Sequence, residues 1–427
     1  MVTTVGYALC RISWRVSSVR PKPTKGEGAV LLYDTMARRK VPFVPGGEPV
    51  TVYVCGITPY DAAHVGHAFT FVFYDVLVRF LRFLGHSTRY VQNVTDVDED
   101  ILGRARQLKM HPARLAVEQT QRYQADMTEL NVLPPDVFPR ASEEIPRMIE
   151  IIRTLLQKGY AYRAGGNVYF QVRRDPSFGR LSHLSQTEML PVANQRGNDP
   201  NDPLKRDPLD FLLWQHAPPG EPRWDSPWGM GRPGWHVECS AMAIHHLGNT
   251  IDIHGGGYDL VFPHHDAEIV QSENFTGCHP FARYWVHTAM VYYQGEKMSK
   301  SLGNLVMTHD LLDRYGADTL RLTLLQHRHT EPWEFDEEEM NDSAATIDRL
   351  RAAAKGERAR LPLHPKEIDE GAAFLGALED DLDTPAATEV MADLADRILR
   401  GGGRGPSAPQ ARELLLIMGR ILGLRIL

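Results

Sequence analysis

The stretch that decides the fold is residues 50–94, VTVYVCGITPYDAAHVGHAFTFVFYDVLVRFLRFLGHSTRYVQNV. It opens with the apolar, β-branched run Val50–Val54, which is typical of a strand buried on both faces of a parallel sheet. Apolar residues then recur every three or four positions over Phe69–Leu84, which predicts an amphipathic helix that ends at Gly85. A second strand is predicted at Thr88–Val94. This order predicts a βαβ unit, in which ligands bind where the strands end.

The rest of the chain changes character twice. From Asp96 to about Trp214, charged helices, a short strand at Asn167–Val172 and polar loops indicate a domain inserted into the sheet. Strand patterns return at Thr250–His254 and Ala282–Tyr293, and beyond Trp333 the pattern is helical, with Thr384 predicted to cap a helix that begins at Pro385. We therefore predict an α/β fold with a Rossmann-like parallel sheet, an inserted connective domain and a C-terminal helical bundle.

Composition limits the kind of protein. A chain of 427 residues has room for roughly three domains at ~150 residues each, and no apolar run reaches the ~20 residues of a membrane span. The net charge of -7 excludes a surface coated in positive charge, so an RNA partner would need a local basic patch. The cluster Arg349, Arg351, Lys355, Arg358 and Arg360 is the candidate for such a patch, although a cluster of this kind is more often a solvated helix face. Four cysteines are too few for a disulfide-stapled fold, which indicates a reducing compartment and predicts a cytoplasmic protein. A monomeric state is a separate expectation. Residues 1–28 carry no acid before Glu27 and are expected to be an extension.

The first motif is His64-Val65-Gly66-His67, between the first strand and the following helix. Chance alone produces such a short string in some proteins, but its position is informative. Imidazole groups at a helix N-terminus, where backbone amides point outward, predict a site for polyphosphate. Glycine at position 66 would let a flat adenine approach the backbone.

The second motif is Lys297-Met298-Ser299-Lys300-Ser301, on a loop that follows the strand pattern ending near Tyr293. A pair of lysines on a surface loop is usually solvated charge, whereas the complete five-residue string is far more specific. Two ammonium groups on a mobile loop can close over ATP phosphates and stabilise charge on departing pyrophosphate. Together the two strings resemble the signature of class I aminoacyl-tRNA synthetases.

A third group has the chemistry of a metal site. Cys55 ends the first strand, Cys239 follows Trp235-His236-Val237-Glu238, and His264 and Glu268 are four residues apart, on one face of a helix. Each of these residues also has an ordinary structural explanation, because a buried cysteine often behaves as a small hydrophobe. Spacing alone leaves the zinc and structural explanations equally open.

At these residues the sequence resembles the cysteinyl-tRNA synthetase family, which has as a close relative the ligase that joins cysteine to an amino sugar in mycothiol synthesis. The resemblance covers about residues 32–427 and implies that Zn²⁺ is held by Cys55, Cys239, His264 and Glu268. It also implies that Trp235 lines the cysteine pocket and that Thr58 helps to hold the substrate. Further implied roles are catalysis by His64, His67, Lys297 and Lys300, and ATP binding by His64, Gly66, His67, Gly256, Asp259 and Lys300. The segment 254–259 is implied to contribute to the adenosine site.

The resemblance implies ATP-dependent activation of L-cysteine to cysteinyl adenylate, with Mg²⁺ accompanying ATP. Serine is almost isosteric with cysteine, so shape alone discriminates by only ~1–3 kcal/mol. A zinc ion binds a thiolate far better than a hydroxyl, which explains why an enzyme for cysteine would keep the metal.

Three hypotheses for the acceptor and activity remain. The first is transfer to the 3′ end of tRNA-Cys, favoured by Glu268 and by the strings Cys239-Ser240-Ala241-Met242 and Pro139-Arg140-Ala141-Ser142. The alternative is ligation to glucosaminyl-inositol, favoured by the loop 56–61, by the string 66–68 and by an end of the chain before any anticodon-reading module. The third is a regulatory paralogue without catalysis, against which the intact His64 and Lys300 argue.

The resemblance also gives names to the expected parts of the chain. They are residues 1–30, an extension expected to be disordered; 31–110 and 216–295, the two halves of the nucleotide-binding domain; 111–215, the connective or acceptor-end domain; 296–345, the signature loop and stem-contact region; and 346–427, a helical domain without a terminal anticodon module.

Overall fold

A computed structural model of the chain describes residues 29–298, 303–359, 363–401 and 407–427. Its strands are β1 Leu31–Asp34, β2 Arg39–Pro42, β3 Val50–Ile57, β4 Thr88–Val94, β5 Ala161–Ala164, β6 Asn167–Phe170, β7 Phe211–His216, β8 Gly231–Pro233, β9 Ile251–Gly257, β10 Ala282–Thr288, β11 Val291–Tyr293, β12 Glu296–Lys297 and β13 Trp333–Glu334. Its α-helices are α1 Val65–Phe83, α2 Glu99–Leu108, α3 Pro112–Glu129, α4 Ile145–Gln157, α5 Gln186–Asn194, α6 Trp235–Leu247, α7 Asp266–Thr276, α8 Thr308–Tyr315, α9 Ala317–Leu325, α10 Glu337–Ala354, α11 Asp369–Glu379, α12 Thr384–Arg400 and α13 Ala408–Leu422.

The central feature is a four-stranded sheet in the order β10-β9-β3-β4, in which every neighbouring pair is parallel. The predicted βαβ unit is confirmed as β3-α1-β4. Strand β3 extends past the predicted Val54 to Ile57, because Ile57 still pairs with Val94 across a register shift. All four strands therefore end at one edge, and the loops that follow them meet there.

Helix α1 packs its apolar face on this sheet and forms part of the largest hydrophobic core. It begins at Val65, four residues before the predicted start, because His64 caps it: the Nδ1 atom of His64 accepts a hydrogen bond from the Gly66 amide at 3.1 Å. Leu84 is the C-cap, and Gly85 follows with a φ of 93°, a left-handed conformation that glycine adopts at little cost.

The segment between the two halves of the parallel sheet contains a second sheet. Its four strands pair antiparallel in the order β5-β6-β7-β8 and run from Ala161 to Pro233. The sequence pattern predicted a single strand there, at Asn167–Val172, which the structure places at Asn167–Phe170. The domain boundaries that we drew from the sequence stay a prediction.

The C-terminal part is helical from α10 to α13, and the buried Arg321 joins it to helix α1. The Arg321 guanidinium on α9 pairs with Asp75 on α1 and also donates from Nε to the carbonyl of Leu422 at 2.6 Å. One cap differs from the sequence pattern: Asp383, and not Thr384, caps α12, because its carboxylate accepts from the amide of Ala386. An aspartate is an equally good N-cap.

Three predictions have a more limited outcome. The extension over residues 1–28 and the residues 299–302, which include Lys300, lie outside the described part of the chain. Within that part, no helix has both the length and the apolar character that a membrane crossing requires. A monomeric state stays a prediction.

Candidate functional site

Four buried side chains from three separate segments meet at the carboxyl edge of the parallel sheet. Cys55 comes from β3 and Cys239 from α6, while His264 and Glu268 come from the turn before α7 and from α7 itself. The two sulfur atoms are 3.6 Å apart, and the Cys55 Sγ is 3.6 Å from the Glu268 Oε1. All four ligand atoms lie within 4.8 Å of one another. The structure therefore brings together the four residues that the sequence singled out.

These distances fit a zinc ion. A tetrahedral zinc about 2.3 Å from sulfur and about 2.1 Å from nitrogen or oxygen would hold two sulfurs about 3.8 Å apart and a nitrogen and an oxygen about 3.4 Å apart. The observed separations are 3.6 Å between the sulfurs and 3.1 Å between the Nε2 of His264 and the Oε1 of Glu268. That Nε2 atom is buried and makes no hydrogen bond of acceptable geometry. Since an unsatisfied buried nitrogen is costly, the arrangement is suited to a metal ligand.

The pKa values of three of the four groups indicate charged side chains, whereas burial and the nearby Cys239 and Glu268 raise the pKa of the Cys55 thiol well above its usual range. Burial raises the pKa of Glu268, but His254 and His264 outweigh it and lower that pKa to about 2. Burial also lowers the pKa of His264, which Glu268 and Cys239 nevertheless raise to about 10. The pKa of Cys239 is lowered to about 6: burial raises it, but the hydrogen bond with Cys55 and the nearby His264 lower it. The anionic groups thus stabilise a positive charge at the centre of the cluster, as a cation would require.

A chain of hydrogen bonds through His265 and His287 holds the Cys55 side chain in position. The Nε2 of His265 lies 3.2 Å from the Cys55 sulfur, and its Nδ1 lies 2.8 Å from the Nε2 of His287. The Nδ1 of His287 in turn lies 2.7 Å from the hydroxyl oxygen of Thr35. Outer groups of this kind orient ligands and fix their tautomers.

A similar outer layer supports the carboxylate and the imidazole. The Nε2 of His254 lies 2.9 Å from the Glu268 Oε2, and the Nδ1 of His236 lies 3.0 Å from the Nδ1 of His264. Cys55, His254, His265 and Glu268 form a second, overlapping group of four atoms within 4.8 Å. The sequence alone indicated no individual role for His236, His254, His265 or His287; the histidines in the strings WHVEC, DIHGG and PHHDA were the available signal for the first three.

The two residues predicted to hold cysteine, Trp235 and Thr58, are related to this cluster in different ways. Trp235, the first residue of α6, stacks on His264 with ring centroids 4.2 Å apart and so forms a wall of the cluster. Thr58 is half-buried in the loop that directly follows β3, and its carbonyl accepts from the amide of Tyr60. The structure thus joins Trp235 to the metal group by contact, and Thr58 by its place after Cys55.

The predicted phosphate site lies at the start of α1. The rings of His64 and His67 are 4.0 Å apart, and the amide of His64 donates to the Nδ1 of His67 at 3.4 Å. A Cβ atom added at Gly66 would lie 3.0 Å from the His64 ring, so glycine leaves that ring in place. Two imidazoles and the first amides of a helix form a surface suited to anionic oxygen atoms.

The signature loop reaches the same edge. The Lys297 Nζ lies 3.3 Å from the Asp259 Oδ2, which follows β9. After residues 299–302, the backbone returns to the start of α1, where the amide of Val65 donates to Val306 and the amide of Thr308 donates to Ala63. The described residues on both sides of 299–302 therefore contact the predicted ATP site, while Lys300 itself lies outside the described part of the chain.

The predicted adenosine segment comes very close to α1. A Cβ atom added at Gly255 would lie 1.8 Å from the hydroxyl oxygen of Tyr74, and one added at Gly256 would lie 2.8 Å from a Leu260 methyl group. The Tyr74 hydroxyl accepts from the Gly256 amide at 2.9 Å and donates to the Val286 carbonyl at 2.5 Å. Only glycine permits this approach of the backbone.

The chain is similar to known proteins of one family. A protein-family profile described as "tRNA synthetases class I (C) catalytic domain" matches residues 43–345. A cysteine–tRNA ligase of Dehalococcoides mccartyi is 41% identical over 403 residues, which cover 93% of this chain and 86% of the relative. An L-cysteine:1D-myo-inositol 2-amino-2-deoxy-alpha-D-glucopyranoside ligase of Thermomonospora curvata is 43% identical over 421 residues, which cover 97% of this chain and 100% of the relative.

Solved structures show the same fold at lower sequence identity. The methionyl-tRNA synthetase of Mycobacterium tuberculosis in complex with methionyl-adenylate has a TM-score of 0.58 at 16% identity, with coverage of 88% of this chain and 90% of that one. The LeuRS of Agrobacterium radiobacter, in a ternary complex with tRNA, has a TM-score of 0.60 at 11% identity, with coverage of 88% and 83%. With the family profile matching most of the chain, this protein belongs to the class I tRNA synthetase (C) family, whose relatives named above are ligases.

Proposed function

We propose that this protein activates L-cysteine with ATP to form cysteinyl adenylate, and then transfers the cysteinyl group to the 3′ end of tRNA-Cys. The observation that carries the proposal is the convergence of two thiols, an imidazole and a carboxylate at the carboxyl edge of the sheet. A site of this composition beside a helix N-terminus rich in histidine combines a sulfur-selective pocket with a phosphate site.

Cys55, Cys239, His264 and Glu268 would hold Zn²⁺. When bound, the ion would supply selectivity for sulfur over oxygen, because a soft thiolate is a far better ligand for it than the hydroxyl of serine. Trp235, stacked on His264, closes one side of the pocket and limits its size. Thr58, in the adjoining loop, is placed to help position the amino acid.

The chemical step joins two parts of the site. The cysteine carboxylate attacks the α-phosphorus of ATP, the bond to the bridging oxygen breaks, and pyrophosphate leaves. His64 and His67 would bind phosphate oxygens at the start of α1, with Gly66, Gly256 and Asp259 completing the nucleotide site, and Mg²⁺ would accompany ATP.

The signature lysines would act on the leaving group. Lys297, held near Asp259, and Lys300 would stabilise the charge that grows on pyrophosphate, an effect that is largest in the transition state. In the second step a hydroxyl or amine of the acceptor would attack the cysteinyl carbonyl and release AMP.

The acceptor has a second candidate. The amine of glucosaminyl-inositol is supported by the Thermomonospora curvata relative, which is slightly more similar to this chain than the Dehalococcoides mccartyi tRNA ligase. A basic cluster at Arg349–Arg360 is the predicted local RNA contact. Among its described members, Arg351 pairs with Asp318 at 2.8 Å and Arg349 lies 3.7 Å from Asp396, which leaves Lys355 and Arg358 as the stronger candidates of that set; Arg360 lies outside the described residues.

Two assays on the purified protein test this proposal. Cysteine-dependent exchange of pyrophosphate into ATP measures the first step, and its absence would favour the regulatory, non-catalytic hypothesis. Attachment of labelled cysteine to tRNA, measured beside ligation to glucosaminyl-inositol, identifies the acceptor. If pyrophosphate exchange runs at full rate while tRNA stays uncharged and the amino sugar is ligated, the acceptor is the amine of glucosaminyl-inositol and not tRNA.

A further inference from the structure

A second group of metal-binding side chains lies at the far end of the helix that carries Cys239. His245 and His246 are in the last turn of α6, and Glu144 lies just before α4 in the inserted segment. Six residues separate Cys239 from His245, which corresponds to about 9 Å along a helix. This group shares no residue with the cysteine pocket.

The three side chains converge on one point. The Nδ1 of His245 is 2.8 Å from the Glu144 Oε1, and the Nε2 of His246 is 3.1 Å from the same oxygen atom. The three ligand atoms lie within 4.8 Å of one another. The Glu144 side chain is 9% exposed, whereas His245 is 39% exposed, so the group is anchored on a buried carboxylate and open to water on one side.

The surroundings favour a cation bound by neutral imidazoles. Burial and the adjacent His245 lower the pKa of His246, which keeps this imidazole in the neutral form that binds metals. The carbonyl end of α6 carries partial negative charge. The positive charge of Arg89 would repel a bound cation, because the Nε of Arg89 donates to the His246 carbonyl at 3.0 Å. We therefore expect a moderate affinity of this site for the cation.

We propose that Glu144, His245 and His246 form a second site for a divalent transition metal such as Zn²⁺, with water completing the coordination. Two imidazoles and one carboxylate with an open position are a ligand set that zinc accepts. The bound ion would cross-link α4 to α6 and thereby fix the inserted segment against the helix that carries Cys239.

The test is a Zn²⁺ titration of the purified protein by equilibrium dialysis. The wild type should bind one more equivalent per chain than the double variant His245→Gln/His246→Gln, and zinc should raise the melting temperature of the wild type by more than that of the variant. His86→Gln is the matched control, because His86 pairs with Glu48 at 2.7 Å as a single imidazole. The control should bind zinc as the wild type does.

Two further measurements separate this site from the cysteine pocket. In Cys239→Ser, Co²⁺ should still bind at the second site, without the sulfur-to-cobalt charge-transfer absorption that a thiolate site gives. If the double variant folds poorly, the single variant His245→Gln is used in its place. We expect its affinity for Zn²⁺ at the second site to be about tenfold weaker or more. Equal zinc binding by the wild type and these variants would overturn the proposal, whatever the outcome for cysteine activation.

Discussion

Replacing Glu268 by glutamine tests the buried cluster with little change in side-chain volume. The Glu268 Oε2 lies 2.9 Å from the Nε2 of His254, and the Oε1 lies 3.1 Å from the Nε2 of His264. Glu268→Gln removes the negative charge and leaves both imidazoles without their partner. We expect loss of zinc and a lower free energy of unfolding at pH 7.

The size of the effect on stability follows from the pKa of Glu268. The two histidines overcome the effect of burial and lower it from 4.5 to about 2. At 1.36 kcal/mol per pKa unit, this corresponds to about 3 kcal/mol, which agrees with the ~3–5 kcal/mol lost when a buried ion pair is broken. The carboxylate stabilises the metal-free fold above pH 4.5, and this stabilisation disappears as the pH falls through about 2.

The assay is urea-induced unfolding of chelated protein at pH 7, together with the metal content of protein purified without chelator. Glu273→Gln is the control: Glu273 is also buried on α7, but it pairs with Arg180 and His279, outside the cluster. This control should lose stability and keep its zinc. The reasoning is refuted if Glu268→Gln keeps a full equivalent of zinc, or if chelated protein loses less than about 1 kcal/mol.

Three further changes test other parts of the site. Cys239→Ser should lose zinc and weaken cysteine binding about tenfold or more, since serine oxygen is a poor replacement for a thiolate; normal cysteine affinity by titration would contradict the assignment. Lys297→Ala should lower the maximal rate of pyrophosphate exchange about tenfold or more and barely change the KM for cysteine, whereas an unchanged maximal rate would leave the pair with Asp259 as its only role. Gly255→Ala should lower the melting temperature strongly, because the added Cβ would lie 1.8 Å from the Tyr74 oxygen; a melting temperature equal to that of the wild type would mean that the sheet can shift.

The sequence predicted the core of the fold because its periodicities are long and unambiguous. The β-branched run at Val50–Val54 and the helical repeat over Phe69–Leu84 each match one element, and Thr88–Val94 matches β4 residue for residue. Element ends were less accurate, since they depend on side-chain caps such as that of His64 on the Gly66 amide.

The inserted sheet could not be predicted as a sheet. Strands β5 and β6 have four residues each, too few to establish a period of two. The three residues of β8, Gly231–Pro233, include both glycine and proline, which strands usually avoid. These strands exist because of pairing with neighbours, and a local pattern carries no information on that pairing.

The same limit applies to the site. Resemblance to the family supplied Cys55, Cys239, His264 and Glu268 as the expected metal ligands, and the structure brings these four side chains together. The outer histidines were missed. His287 contacts His265 and His254 contacts Glu268, but the separation of each pair along the chain matches neither the repeat of a helix nor that of a strand. Such contacts arise from the packing of β9, β10 and α7, which only the folded chain reveals.

The most direct test of cysteine activation is the exchange of labelled pyrophosphate into ATP by purified, zinc-loaded protein, with cysteine or serine as the only amino acid. We expect exchange that depends on cysteine and is about 100-fold slower or more with serine, because sulfur selectivity would come from the metal cluster around Cys55 and Cys239. Exchange that is absent with cysteine, or equally fast with serine, would contradict the account.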